Sequence, residues 1–297
     1  MSSTAETRGL WLGLLGVTLF AMTLPMTRLA VGSVDDPQLP PAFVTFGRAA
    51  VAGGLSLVWL WVARAPRPPR ELWAPLAVSA AGTVLGFPLF LALALREVPA
   101  MHAAVVTGIL PLATAAVGAW WLRQRASAGF WACALAGCGL VLGFAAWQGK
   151  GRLQLADAYL LAAVASTAVA YVAGARVAQR ISAEFTICWA LVLALPLTLP
   201  AALWVWPAQP ASPAAWSGFA YVSVFSMWLG FFAWYRGLAM GGVLRVSQVQ
   251  LLQPFLALML AVPVLGEPLQ AATLLFTVAV VAIVFVGRRM PLSAPRS

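Results

Sequence analysis

Charge is the scarcest feature of this chain. Of 297 residues only 9% are Asp, Glu, Lys or Arg, with 8 acids in all and a single histidine, His102. Lys150 is the sole lysine. Soluble domains carry roughly 25% charged residues, so a soluble globular enzyme and a disordered chain are both excluded. The acids also avoid the apolar runs and stand near loops or helix ends, which argues against the intramembrane carboxylate relay of proton-coupled carriers. Three cysteines, Cys133, Cys138 and Cys188, show no zinc or redox spacing. They rule out a disulfide scaffold and serve as small packing residues. The net charge is +10, but no basic run is longer than Arg288-Arg289, so no nucleic-acid partner is expected.

Catalytic signatures are missing as well. An intramembrane protease or lipid phosphotransferase needs a nucleophile with a base, or clustered acidic metal ligands. Ser79 and Ser166 have no histidine nearby in sequence, and His102 has no carboxylate on its own helix. No GxSxG, HExxH or acidic cluster occurs. The expectation is therefore no catalytic residue, no metal and no cofactor.

What the chain does contain is apolar length. Hydrophobic residues make up 62% of it, and about 20 such residues span a bilayer. The breaks between runs define ten helices, at 9–31, 41–63, 73–95, 98–122, 127–147, 155–178, 184–206, 214–238, 242–265 and 269–288. The fold class is an all-α polytopic membrane protein. The run from Gly9 to Met26 exceeds a signal-peptide core and is expected to persist as the first helix. Ten spans place both termini on one side. That side then receives most of the arginines, including Arg8, Arg64, Arg67, Arg70, Arg176, Arg180 and Arg289. The other side receives Arg28, Arg48, Arg96, Lys150 and Arg152, together with Asp35, Asp36, Glu97, Asp157 and Glu267. The bias predicts cytoplasmic termini, with the Lys150/Arg152 loop as the exception.

The chain also repeats. A shift of 143 residues lays Leu110-Pro111-Leu112 on Gln253-Pro254-Phe255, and Leu122-Arg123-Gln124 on Leu265-Gly266-Glu267. Each proline thus precedes its helix-ending polar residue by the same interval. Five helices per unit is an odd number, so the units, 1–148 and 149–297, insert with opposite orientation. Inverted repeats of this kind place a substrate site near the membrane midplane, between the halves.

The paired stretches Val98-Pro99-Ala100…Leu110-Pro111-Leu112 and Gly242-Val243…Gln253-Pro254-Phe255…Leu265-Gly266-Glu267-Pro268 resemble the drug/metabolite transporter superfamily, specifically its EamA-type ten-helix exporters. Arg48 in the second helix resembles an arginine often found there, whereas Arg123-Gln124 departs from the Gly-Glu ending seen in the second half. The resemblance implies ten helices in two inverted halves and metabolite export. Length and overall character point further, to the aromatic amino-acid exporters within that superfamily.

Several residues are candidates for lining a cavity. Pro111 and Pro254 have no N–H, so each frees a carbonyl one turn earlier, at Thr107 and Gln250. They serve either as kinked gates or as simple bends. Gln248, Gln250 and Gln253 put three amides in one apolar span, for ligand recognition or for helix–helix hydrogen bonds. In the eighth helix Tyr221, Phe225, Trp228, Phe232 and Tyr235 recur at steps of four and three, which places them on one face of a regular helix. Trp228 falls at mid-depth, where its N–H needs a partner. Phe20 and Thr23 on the first helix, Thr83, Phe87 and Phe90 on the third, and Thr167 and Tyr171 on the sixth complete the set. His102 is either a gate or a polar residue satisfied at the interface. The expected function is export of small metabolites, amino acids with aromatic or hydrophobic side chains foremost, by alternating access without strict proton coupling, from a bacterial inner membrane. The expected partners are that small-molecule substrate and membrane lipid, and the protein is expected to be a monomer. A multidrug or lipid-carrier transporter of the same fold is the alternative.

Overall fold

Apolar length sets the architecture. In the computed structural model, which describes residues 3–121, 125–149, 151–241, 247–290 and 292–293, eight helices are long and apolar enough to cross a membrane, and two shorter apolar helices follow them. The ten elements are α1 (Thr7–Val31), α2 (Pro41–Val62), α3 (Arg70–Glu97), α4 (Ala100–Trp121), α5 (Ala128–Gln148), α6 (Leu155–Ala178), α7 (Ala183–Trp204), α8 (residues 213–241), α9 (residues 247–265) and α10 (Ala271–Arg289). The helix-ending segment Leu122-Arg123-Gln124, Lys150, and Gly242-Val243 with Arg245 lie outside the described residues, as do Arg296 and the side chains of Tyr235, Gln248 and Arg288.

The helix starts follow local chemistry. Ser127, Ser182 and Ser212 each accept a hydrogen bond from a first-turn amide, those of Phe130, Phe185 and Ala215, which satisfies one of the orphan donors at a helix N-terminus. Gln154 and Asp157 form a reciprocal capping box at the start of α6. Pro41 and Pro213 open their helices, where the missing N–H costs nothing. Gly266 closes α9 in the left-handed conformation, φ 67°, which only glycine adopts without penalty.

Contacts between loops define the two faces of the bundle. On the side of the termini, β1 (Arg125–Ala126) pairs antiparallel with β2 (Leu292–Ser293), and Arg180 after α6 lies 3.3 Å from Glu71 in the first turn of α3. On the opposite side, Ser212 before α8 donates to Gln38 in the α1–α2 connection. Trp120, Trp147 and Trp204, all at helix ends, are exposed, Trp204 at 90%. Such tryptophans form the interfacial belt of a membrane protein. Glycines allow a close approach between α1 and α8. A Cβ on Gly237 would sit 2.6 Å from the Gly13 nitrogen, and one on Gly16 2.8 Å from the Trp234 nitrogen.

Two buried apolar clusters stack along the bundle. One is centred on the opposite half, around Phe43, Leu91, Leu95, Phe144 and Leu160, and continues to Phe130 at the start of α5. The other fills the terminal half, around Leu60, Leu76, Leu191 and Met227. Between them lies a layer of polar side chains at mid-depth.

Candidate functional site

Five helices depart from regular winding where they pass this layer. α1 breaks at Met22, ahead of Pro25. α4 breaks at Gly108–Ile109, ahead of Pro111. α9 runs as a 3-10 turn over Ser247–Leu252 before Pro254. α3 and α8 carry π-helical stretches, at Ala81–Gly86 and Val222–Leu229. Their windings are explicit: the Phe87 amide donates to the Gly82 carbonyl, and the Gly230 amide to that of Phe225, five residues back. The two π stretches coincide under the same shift of 143 that matches Pro111 to Pro254. Irregular backbone at membrane depth is tolerated only where it is buried or lines a cavity, and π-bulges concentrate at functional sites.

A cavity runs through this layer as adjoining chambers. The central one, about 60 Å³, is lined by Phe20, Thr23, Arg48, Thr83, Phe87, Leu110, Thr167, Tyr171, Ser226, Phe231, Gln250 and Gln253, among others. A second of about 50 Å³ reaches Thr107, Pro111 and Pro254. A third of about 180 Å³ extends past Ser79 and Trp234 to Ala175 and Ala178, in the last turn of α6, and so runs toward the terminal side. Equivalent positions in the two halves meet across the cavity under the 143 shift: Thr83 with Ser226, Thr107 with Gln250, and Leu110 with Gln253.

Most of the candidate residues are brought together here. Phe20, Thr23, Phe87, Tyr171, Gln250 and Gln253 line the central chamber, and Thr107, Pro111 and Pro254 the adjoining one. The Thr107 hydroxyl donates to the Ala103 carbonyl of its own helix at 2.7 Å. Other candidates lie elsewhere. Phe90 stacks on Tyr159, ring centroids 6.4 Å apart. Trp228 and Phe232 pack on one another at 4.9 Å and against Trp59 of α2 at 6.3 and 5.4 Å. The cause is the π stretch in α8. Its i+5 winding rotates the residues that follow out of the expected register, so Phe231 reaches the chamber and stacks edge-on to Phe20 at 5.0 Å. The aromatic stripe is split accordingly, with Tyr221 and Phe225 stacked as a separate pair at 5.3 Å.

Arg48 is the main correction. Counted by position with the charges of the outer side, it stands about two turns into α2 and is only 3% exposed. Its Nη2 donates to Ser226 Oγ at 3.1 Å, and Ser226 and Thr23 share a 2.7 Å hydrogen bond. Ser226 and Phe231 carried no sequence signal apart from their span. Arg48 did: it is the one charged residue between Pro41 and Val62.

His102 is satisfied within the fold, in line with the second of its two readings. The fold supplies the carboxylate partner that its own helix lacks: Nε2 lies 2.7 Å from Asp157 Oδ1, and both side chains are buried. Asp157 Oδ2 accepts from the Gln154 amide at 2.8 Å, and the imidazole lies 5.1 Å from the Phe144 ring. Nearby, Glu267 accepts from the Ala100 amide at 2.7 Å and the Met101 amide at 2.9 Å. Its carboxylate caps the N-terminus of α4 and neutralises the helix dipole there. Gly266 makes this possible, because its left-handed turn ends α9 and delivers Glu267 across the bundle. Arg28 donates to the Leu95 carbonyl on the same side.

Ten helices around a midplane cavity bounded by broken helices define a membrane carrier. Residues 7–146 and 154–287 each match the EamA-like transporter family, and the chain belongs to that family. It is 44% identical over 285 residues to the uncharacterized transporter YdeK of Bacillus subtilis (strain 168), covering 93% of this chain and 96% of that protein. A solved crystal structure shares the fold with a TM-score of 0.61 at 20% identity, over 97% of both chains. The family match and this Bacillus relative indicate a membrane transporter rather than an enzyme.

Proposed function

We propose that this transporter exports small metabolites, with amino acids bearing aromatic or hydrophobic side chains as its substrates, across a bacterial inner membrane. The carrying observation is the central chamber. It combines a guanidinium, hydroxyls and two amides with the rings of Phe20, Phe87, Tyr171 and Phe231, the mixture needed to hold a polar head and an apolar side chain at once. The chambers, about 60, 50 and 180 Å³, suit a small solute better than a bulky drug or a lipid carrier.

The halves 1–148 and 149–297 rock about this site, acting as one integrated monomeric unit in the lipid. The family matches on either side of residue 150 support that division. With the termini in the cytoplasm, as the arginine bias favours, the open chamber faces the cytoplasm and the Glu267 contact closes the external side. Transport proceeds by exchange or facilitated diffusion, without strict proton coupling. Among the described residues the buried imidazole–carboxylate pair, His102–Asp157, sits beside the external closure and not in the central chamber.

Purified protein in liposomes tests this reading. Vesicles loaded with unlabelled L-phenylalanine are expected to accumulate external labelled L-phenylalanine by counterflow. Absence of counterflow with every hydrophobic amino acid would overturn the substrate assignment. Uphill accumulation driven by an imposed pH gradient alone would overturn the coupling assignment.

A further inference from the structure

The mid-depth polar layer holds one charge with no counter-charge. Arg48 Nε and Nη1 are buried without a hydrogen-bond partner, and the ion pairs among the described residues, His102–Asp157 and Arg180–Glu71, do not involve it. Arg28, by contrast, has Glu97 and Glu267 acting on it. A buried, unpaired cation is strongly unfavourable, and an apolar side chain would fill the same volume without that penalty. Its position is nevertheless held from both sides. Arg48 donates to Ser226, Ser226 lies within a hydrogen bond of Thr23, and the Thr23 hydroxyl reaches back to the Leu19 carbonyl at 3.4 Å. The chain of hydroxyls anchors one nitrogen of the fork and leaves the others buried and unspent, on a residue that lines the central chamber.

We propose that Arg48 is the anion-recognition group of the transport cavity and that it takes a carboxylate from the substrate. The carboxylate completes the missing ion pair and accepts the unspent N–H groups through its two parallel oxygens, the geometry for which a guanidinium is built. A single buried cation matches a monoanion, whereas a phosphate dianion would leave net charge in the bilayer. The apolar remainder of the ligand lies among Phe20, Phe87 and Phe231. Gln250 and Gln253 supply amide oxygens for an ammonium group. This inference deepens the substrate reading above and rests on it only for the ammonium group and side chain.

The test is a thermal-stability titration of the purified protein with L-phenylalanine, L-phenylalaninamide, phenethylamine and 3-phenylpropionate. A ligand that binds the folded state raises its melting temperature. The two carboxylates are expected to bind about tenfold or more tightly than the amide and the amine. Arg48→Gln is expected to abolish that preference, and Arg48→Lys to restore part of it. Equal binding of acid and amide by the unmodified protein overturns the proposal, whether or not the variants fold. A carboxylate preference that survives Arg48→Gln, or no shift with either carboxylate, overturns it as well. Arg48-dependent binding of 3-phenylpropionate without any binding of L-phenylalanine supports the carboxylate site and sinks the amino-acid reading. Counterflow of L-phenylalanine that persists unchanged in Arg48→Gln does the reverse.

Discussion

His102 Nε2 and Asp157 Oδ1 are 2.7 Å apart, and this bond ties the first turn of α4 to the first turn of α6. The two residues are 5% and 3% exposed. A buried pair of this kind is costly to break from one side, because the remaining group is left unsatisfied. His102→Ala and Asp157→Ala are each expected to lower stability by about 2 kcal/mol. The double variant should cost little more than either single one, giving a coupling of about 1–2 kcal/mol. Thermal or denaturant unfolding of the four proteins in detergent measures it, and strictly additive losses would show that the pair is not an energetic unit.

Glu267 grips the α4 N-terminus through two amides, so its loss should loosen the face opposite the termini. In a background with Cys133, Cys138 and Cys188 replaced by Ala, a cysteine placed at Met101 reports on that face. Glu267→Ala is expected to raise its labelling rate by a membrane-impermeant thiol reagent about tenfold, equivalent to ~1.4 kcal/mol of closure. Glu267→Gln should fall between. Identical labelling in all three would mean that the contact does not hold the closed state.

Phe231 and Trp228, three residues apart, should separate by phenotype. Phe231→Ala removes a ring from the central chamber and is expected to raise KM for an aromatic substrate about tenfold. Trp228→Ala empties the Trp59–Phe232 cluster instead. It should lower stability by about 3 kcal/mol or more while leaving KM within about twofold. Uptake kinetics and melting curves on both variants decide, and the reverse pattern would restore Trp228 to the cavity.

Two glycines should respond in opposite directions. Gly237→Ala forces a methyl group to within 2.6 Å of the Gly13 backbone and is expected to cost about 1–3 kcal/mol as α1 and α8 part. Gly139 has no neighbour within 4 Å of where a Cβ would stand, so Gly139→Ala should gain up to ~1 kcal/mol of helix propensity. Melting temperatures in detergent check both signs.

The helices were legible because each rests on a local property. A run of about 20 apolar residues spans a bilayer whatever lies beside it, and the interruptions at Asp35–Pro37, Arg64–Arg70 and Trp206–Pro213 end helices by their own chemistry. The proline pairing of Pro111 with Pro254 was legible for the same reason, as was the mid-span depth of Phe20, Thr23, Phe87, Tyr171 and the two glutamines. The aromatic stripe of α8 was not. Its periodicity assumed regular winding, and eight residues of π-helix, Val222–Leu229, altered the angular step. Nothing in that segment's composition announces the change, which arises from packing around the cavity.

Scarcity of charge and length of apolar runs were sufficient to establish an all-α membrane protein of ten helices, since partition into lipid and helix formation depend on each segment alone. The destination of each remaining charge was decided by tertiary structure. Asp157 and His102 meet across 55 residues, Glu267 and Ala100 across 167, and Arg48 and Ser226 across 178. Pairings so distant in the chain follow from which helices pack together, and no local pattern encodes that. The same packing turned Arg48 from a charge counted with the outer side into a buried cation lining the central chamber.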